Sequence, residues 1–316
     1  MSQQYPIVAV TGASGAGTTV IKKTFSIIFR REGVDAAFVG SEDFRRYDRQ
    51  EMQAVLTEAQ AQGKTLSPYG PEVNRFDFLE DAFRQYSETG SCKIRRYITH
   101  EIAEKTGQKE GVFSDWEETP AASDLLFYEG LHGGAVASQW SRRKMSSSHN
   151  PKVIIERRNA GNSGGIDVAQ HVDLLLGVVP VVNLEWMQKI STDSDMKGHS
   201  GYEIANRIVG RMQDYINFIT PQFSVTDINF QRIPIVDTSN PFIAAELPTE
   251  SECMVVIRFR DPQKYNFPNI LKRIDGAAMS RPNSMVIPGG SLKQAIDVIC
   301  SPLILNLLEQ SGVAGK

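Results

Sequence analysis

The 316 residues carry 34 Lys and Arg against 37 Asp and Glu, a net charge of −3, with 41% apolar and 22% charged residues. This balance suits an ordinary globular chain, and it excludes bulk nucleic-acid binding, so an anionic ligand must be met by local basic clusters. No apolar run near 18 residues and no basic-then-apolar leader is present, so neither a membrane span nor a signal peptide is expected.

In chain order, the β-branched run Ile7-Val8-Ala9-Val10 predicts a strand that breaks into a glycine-rich loop. The loop feeds an amphipathic helix over 20–31, apolar at Val20, Ile21, Phe25, Ile28 and Phe29. Glycines let backbone approach an anion closely, and free N–H groups at a helix start point at it. The G-x-x-x-x-G spacing of a P-loop runs from Gly12 to Gly17, so Gly12, Ala13, Ser14, Gly15, Ala16, Gly17, Thr18 and Thr19 are the candidate nucleotide-binding residues. Thr19 stands where a hydroxyl ligates the Mg²⁺ of bound ATP, whereas Thr18 replaces the expected lysine, so that charge must come from elsewhere.

Residues 35–40 read as a second strand, followed by Ser41-Glu42-Asp43-Phe44-Arg45-Arg46-Tyr47-Asp48-Arg49. Paired carboxylates and three arginines past a strand end suit a phosphorylated hydroxyl substrate: Glu42 or Asp43 accepts the hydroxyl proton and the arginines hold the phosphate. Helices follow over 50–63 and 77–86, separated by a proline-rich loop over 66–75. The basic stretch 92–98, containing Arg95, Arg96 and Tyr97, reads either as an edge strand with a solvated face or as the wall of an anion site. Residues 111–122 read as a polar connector, and 124–130 as a buried strand ending in Glu129, a candidate metal-associated acid.

Residues 139–165, basic and rich in Gly and Ser, read as a mobile surface insertion. The apolar run 171–182 is a buried parallel strand, leading into a segment where Lys189, Asp193 and Lys197 share a helix face and could close over the nucleotide. A helix over 202–220, strands at 233–236, 254–259 and 284–287, and a final helix over 291–310 complete what reads as a single domain, 1–316. Cys92, Cys253 and Cys300 read as reduced cytosolic thiols, and five scattered histidines give no structural zinc.

The stretches VTGASGAGTT (10–19), FRRYDR (44–49), LLFYEGLHGG (125–134), GVVPVVNLEWMQK (177–189), ITPQFSVTDINFQR (219–232) and VDTSNPF (236–242) resemble the bacterial class I branch of the phosphoribulokinase/uridine kinase family, end to end. The resemblance implies a P-loop NTPase-like three-layer α/β/α fold with a mixed central sheet. It also implies a cytoplasmic kinase that uses ATP and Mg²⁺ to phosphorylate ribulose 5-phosphate at O1. It places the phosphate-contacting lysine on Lys189 and the metal-associated acid on Glu129. The catalytic aspartate falls on Glu42, with Asp43 in a small-residue slot, and the substrate-binding histidine becomes Arg45. A family Arg-Asp pair reads Thr192-Asp193 here, and a later arginine reads Lys197. The full candidate set is Glu42, Asp43, Lys189 and Asp193 for catalysis; Arg45, Arg49, Arg96, Tyr97, His132 and Lys197 for the acceptor; and Thr19 and Glu129 for the metal. The resemblance further implies a homo-oligomer answering to nicotinamide nucleotide or AMP, with Arg232 as effector-site candidate; Ala16 leaves no P-loop thiol switch. The altered positions leave open a related kinase for another phosphosugar or a nucleoside, or a nucleotide-binding regulatory relative with little catalysis.

Overall fold

The computed structural model describes residues 5–12, 18–64, 66–120, 122–135, 140–145, 152–157, 166–197, 201–241 and 246–312. In chain order these form β1 (Ile7–Gly12), α1 (Thr18–Glu32), β2 (Ala36–Gly40), α2 (Arg49–Ala61), α3 (Phe76–Thr89), β3 (Lys93–Tyr97), α4 (His100–Thr106), β4 (Phe113–Glu118) and β5 (Leu125–Gly130). Then come β6 (Trp140–Met145), β7 (Lys152–Arg157), β8 (Leu174–Pro180), α5 (Val182–Lys197), α6 (Gly201–Gly210) and the short α7 (Met212–Asp214). The chain continues with β9 (Ile228–Pro234), β10 (Cys253–Phe259), α8 (Phe267–Arg273), β11 (Ala278–Arg281), β12 (Ser284–Pro288) and α9 (Leu292–Ser311).

Eight strands form the central sheet in the order β11-β12-β10-β9-β8-β1-β5-β2. From β2 to β9 the pairs are parallel, and β10, β12 and β11 continue the sheet antiparallel. The mixed sheet with flanking helices is the fold expected from the sequence. Central β1 explains the arrangement: its four apolar residues are buried on both faces, as a strand covered by helices on each side requires. Val8 and Val10 join Phe25 of α1 and Ile296, Ile299 and Ile304 of α9 in one cluster. Ile7 and Ala9, pointing the other way, join Leu79, Phe83 and Tyr86 of α3 in a second.

Several expectations are corrected. The supposed polar connector contains β4, which pairs antiparallel with β3 in a separate two-stranded ribbon. The 139–165 segment contributes β6 and β7, an antiparallel pair; the rest of that insertion lies outside the described residues. The helix expected over 202–220 is broken into α6, α7, a π-helical turn (Tyr215–Ile219) and a 3₁₀ turn (Thr220–Ser224), with Pro221 inside the last. The strand expected at 233–236 begins five residues earlier, as β9. Gly289–Ser311 is, by length and composition, apolar enough to cross a membrane, against the expectation of no such run. Its inner face is nonetheless part of the sheet-facing core, and Asp297 on its surface pairs with Arg31 of α1 at 2.7 Å.

One polar side chain ties the end of β1 to the turn after β5. Gln222, 1% exposed, donates to the carbonyls of Leu131 (2.8 Å) and Phe218 (2.7 Å). Its Oε1 accepts from Thr11 Oγ1 (2.7 Å) and the Gly134 amide (3.0 Å). Gln222→Leu leaves the Gly134 amide without this acceptor, whereas Thr11 Oγ1 and the Leu131 carbonyl keep each other at 3.1 Å, so we expect a loss of about 1–3 kcal/mol in urea unfolding, the cost of a buried unsatisfied group.

Candidate functional site

Parallel strands present their C-terminal ends along one edge, the usual ligand edge of an open α/β sheet. There β1 ends at Gly12, β2 runs into the Ser41–Phe44 3₁₀ turn, β5 into the 131–134 turn and β8 into α5. Register fixes their proximity: Glu129 is opposite Val10 on β1 and Gly40 on β2, and Val178 is opposite Gly12. Glycine is needed at position 130, where a Cβ would lie 2.3 Å from that of Ser41; this close approach sets the 41–44 turn against β5. Phe44 anchors the same turn, buried beside Phe78 (5.4 Å between rings) and Tyr128 (6.2 Å).

The two candidate bases separate sharply. Glu42 keeps 39% of its side chain exposed, touching Ser41 Oγ (3.2 Å) and Arg45 (3.4 Å). Asp43 is 5% exposed, and its oxygens accept from the backbone N–H of Tyr97 (2.9 Å) and of Gly40 (3.1 Å) and from Arg96 Nη1 (3.3 Å). Burial pushes the Asp43 carboxyl above its usual range, opposed by those hydrogen bonds and the Arg96 charge.

The basic wall also divides. Arg45 lies over the Tyr97 ring (4.8 Å from guanidinium to centroid) and remains half exposed. Arg49 is exposed and pairs with Glu110 at 2.5 Å, which, with a lesser contribution from Tyr97, raises its pKa further. Arg95, outside the sequence-derived set, donates to the Arg45 carbonyl (3.2 Å) and lies 3.7 Å over Phe113. Arg96 is turned inward: Nη1 donates to the Phe38 carbonyl (2.6 Å) and Nε to Glu117 (3.1 Å), besides Asp43. It is neither the solvated edge nor the open anion wall that its sequence allowed.

His132 is 2% exposed and packs against Phe76 with the rings tilted (4.7 Å between centroids). A carbonyl can only accept, so Nε2 carries the proton and donates to Tyr69 O at 3.0 Å. Burial pushes its pKa down to about 4, leaving a neutral core histidine behind the site and not open to a ligand. Arg232, the effector candidate, donates to Cys253 Sγ (3.1 Å) and the Pro248 carbonyl (2.7 Å).

Lys189 lies on α5, one turn beyond buried Glu185, which accepts from Tyr215 Oη at 3.1 Å. Burial raises the Glu185 carboxyl to about 7, with Tyr215 and Lys189 opposing. A raised carboxyl pKa means the folded chain binds more protons than the unfolded one between pH 4.5 and 7, so stability is full below 4.5 and falls as pH rises through 7. Relative to Glu185→Gln, the parent should lose on the order of 3 kcal/mol of urea-unfolding stability between pH 5 and 8. Parallel stability curves would contradict this.

Residues 13–17 lie outside the described residues, as do the side chains of Thr18, Thr19, Thr192, Asp193 and Lys197. Among the described residues no group of three or more His, Cys, Asp or Glu is gathered as a metal cage. A lone strand-end carboxylate such as Glu129 is a donor type that suits Mg²⁺, an ion that keeps several waters and shares phosphate oxygens.

Residues 7–239 match the sequence model of the Phosphoribulokinase / Uridine kinase family. The chromosomal phosphoribulokinase of Cupriavidus necator is 45% identical over 312 residues, covering 98% of each chain. That of Sinorhizobium medicae is 46% identical over 312 residues, again covering 98% of each. The solved phosphoribulokinase from Rhodobacter spheroides superposes with a TM-score of 0.82 at 42% identity, covering 98% of this chain and 100% of that one.

Proposed function

The chain belongs to the phosphoribulokinase / uridine kinase family, and on that premise we propose that it transfers the γ-phosphate of ATP to O1 of ribulose 5-phosphate, giving ribulose 1,5-bisphosphate and ADP. The observation that carries this reading is the likeness to phosphoribulokinases over 98% of the chain. Half-exposed Glu42, beside Arg45 and one strand from Glu129, supports it.

In this reading Glu42 takes the proton of the C1 hydroxyl as O1 attacks the γ-phosphorus and ADP departs. Arg45 and Arg49, supported by Tyr97 and Arg95, hold the 5-phosphate. The 12–19 loop binds the β- and γ-phosphates, and Lys189, with Asp193 and Lys197 on the same helix, closes over the transferring group. Glu129 and Thr19 would hold Mg²⁺, which would neutralise charge on the phosphates. Catalysis is then mainly positioning and charge stabilisation. Arg45 and Arg49 beside Tyr97 favour a phosphorylated acceptor over a nucleoside.

We take residues 1–316 as one cytoplasmic kinase domain that forms a homo-oligomer. Sensitivity to NADH or AMP, with Arg232 as the residue to vary, belongs to the same proposal. The test is ADP release from Mg-ATP with ribulose 5-phosphate, ribose 5-phosphate or uridine as acceptor. Turnover should require ribulose 5-phosphate. Turnover with uridine instead, or none with any acceptor in protein that binds ATP, would overturn the reading.

A further inference from the structure

We propose that Asp43 and Arg96 act as one positioning unit, which fixes the base Glu42 against the phosphate-binding wall of Arg45, Tyr97 and Arg49. This rests on the reading of Glu42 as the base, and it reassigns two residues that the sequence marked for direct contact with substrate. Glu42 belongs to the turn after β2, whereas Tyr97 ends β3 of the separate two-stranded ribbon. A two-stranded ribbon has little stability of its own, so contacts with the main body must set its placement. Cys92 and Ile94 sink its inner side into the core. Polar contacts then fix it laterally across the seam.

Those contacts converge on Asp43. Its carboxylate accepts from the last residue of β2, through the Gly40 N–H, and from the last residue of β3, through the Tyr97 N–H. Arg96 closes the circuit, bonded to Asp43, to the Phe38 carbonyl on β2 and to Glu117 on β4. Base and wall are then each one residue from the clip. Glu42 precedes Asp43, and Tyr97, which carries the Arg45 guanidinium on its ring, follows Arg96. A shift of the seam moves the proton acceptor relative to the bound 5-phosphate, and about 1 Å of misplacement costs about 100-fold. The two residues depend on each other because a buried charge stripped of its partner is strongly unfavourable, whereas removal of both is tolerated far better.

The test is a double-mutant cycle in the full-length chain, Asp43→Ala, Arg96→Ala and both, with steady-state kinetics for each substrate and thermal melts. Each single change should lower kcat/KM for ribulose 5-phosphate by about 30- to 100-fold, with KM for ATP unchanged. The double variant should be no worse than the poorer single, the coupling expected of residues in contact. Asp43→Asn is isosteric, keeps an acceptor for the Tyr97 N–H, and serves should the alanine variant not fold; it should retain activity between parent and Asp43→Ala. Losses that multiply in the double variant, single variants with parental acceptor kinetics, or equal changes in both KM values would each overturn the proposal. Glu42→Gln run alongside separates the two readings. Parental turnover there sinks the base assignment, whereas an inactive Glu42→Gln with an additive cycle sinks only the positioning unit.

Discussion

Replacing Glu42 with glutamine should lower kcat by about 10³-fold, within the 10²–10⁴-fold that a positioned general base contributes, with the KM values for ATP and acceptor little changed. Glutamine keeps the size of the side chain and its contact with Ser41 Oγ, seen at 3.2 Å, but cannot take a proton. Glu42→Asp, shorter by one methylene, should fall between parent and Glu42→Gln, because the carboxylate survives but is displaced. Asp43→Asn also deletes a carboxylate at this turn, but should reduce turnover much less, because Asp43 already spends its oxygens on Tyr97, Gly40 and Arg96. Reversal of the order, with Asp43→Asn inactive and Glu42→Gln near parental, would transfer the base role to Asp43.

Lys189→Ala should reduce kcat by about 10²–10³-fold, the loss typical of removing one group that stabilises developing charge in a dry site. The expectation is larger than for an ordinary surface lysine because Thr18 occupies the place of the P-loop lysine, leaving the transferring phosphate short of one cation. Lys189→Arg should recover part of the loss, since it restores charge but not the compact ammonium geometry. Isothermal titration of a nonhydrolysable ATP analogue gives the second readout: binding should weaken far less than kcat falls. Full turnover by Lys189→Ala would mean that another group supplies the missing charge.

What was legible in the sequence follows the range of the interactions. β1 announces itself because four consecutive apolar residues buried on both faces are a local signal. Glu42 and Glu129 could be singled out as candidates because a carboxylate at or just past the end of an apolar strand is likewise a local signal. β4 was not found: FSDWEE pairs only with β3, leaves most of its side chains in solvent, and so carries no alternation to read. The roles of Asp43 and Arg96 were hidden for a different reason. Asp43 meets partners 53 and 54 residues away, so only the folded chain shows that its carboxylate is a clip. His132 and Gln222 likewise bond across 63 and 91 residues. The broken helix after α6 was read as continuous because its apolar residues keep helical spacing through a π-helical turn.

The most direct test of the central claim is ³¹P NMR of the product formed from Mg-ATP and ribulose 5-phosphate by the purified chain. The account predicts a second phosphate monoester on the sugar at O1, appearing with stoichiometric ADP and absent with Glu42→Gln. ATP bound but no new ester, or an ester on a different carbon, would contradict it.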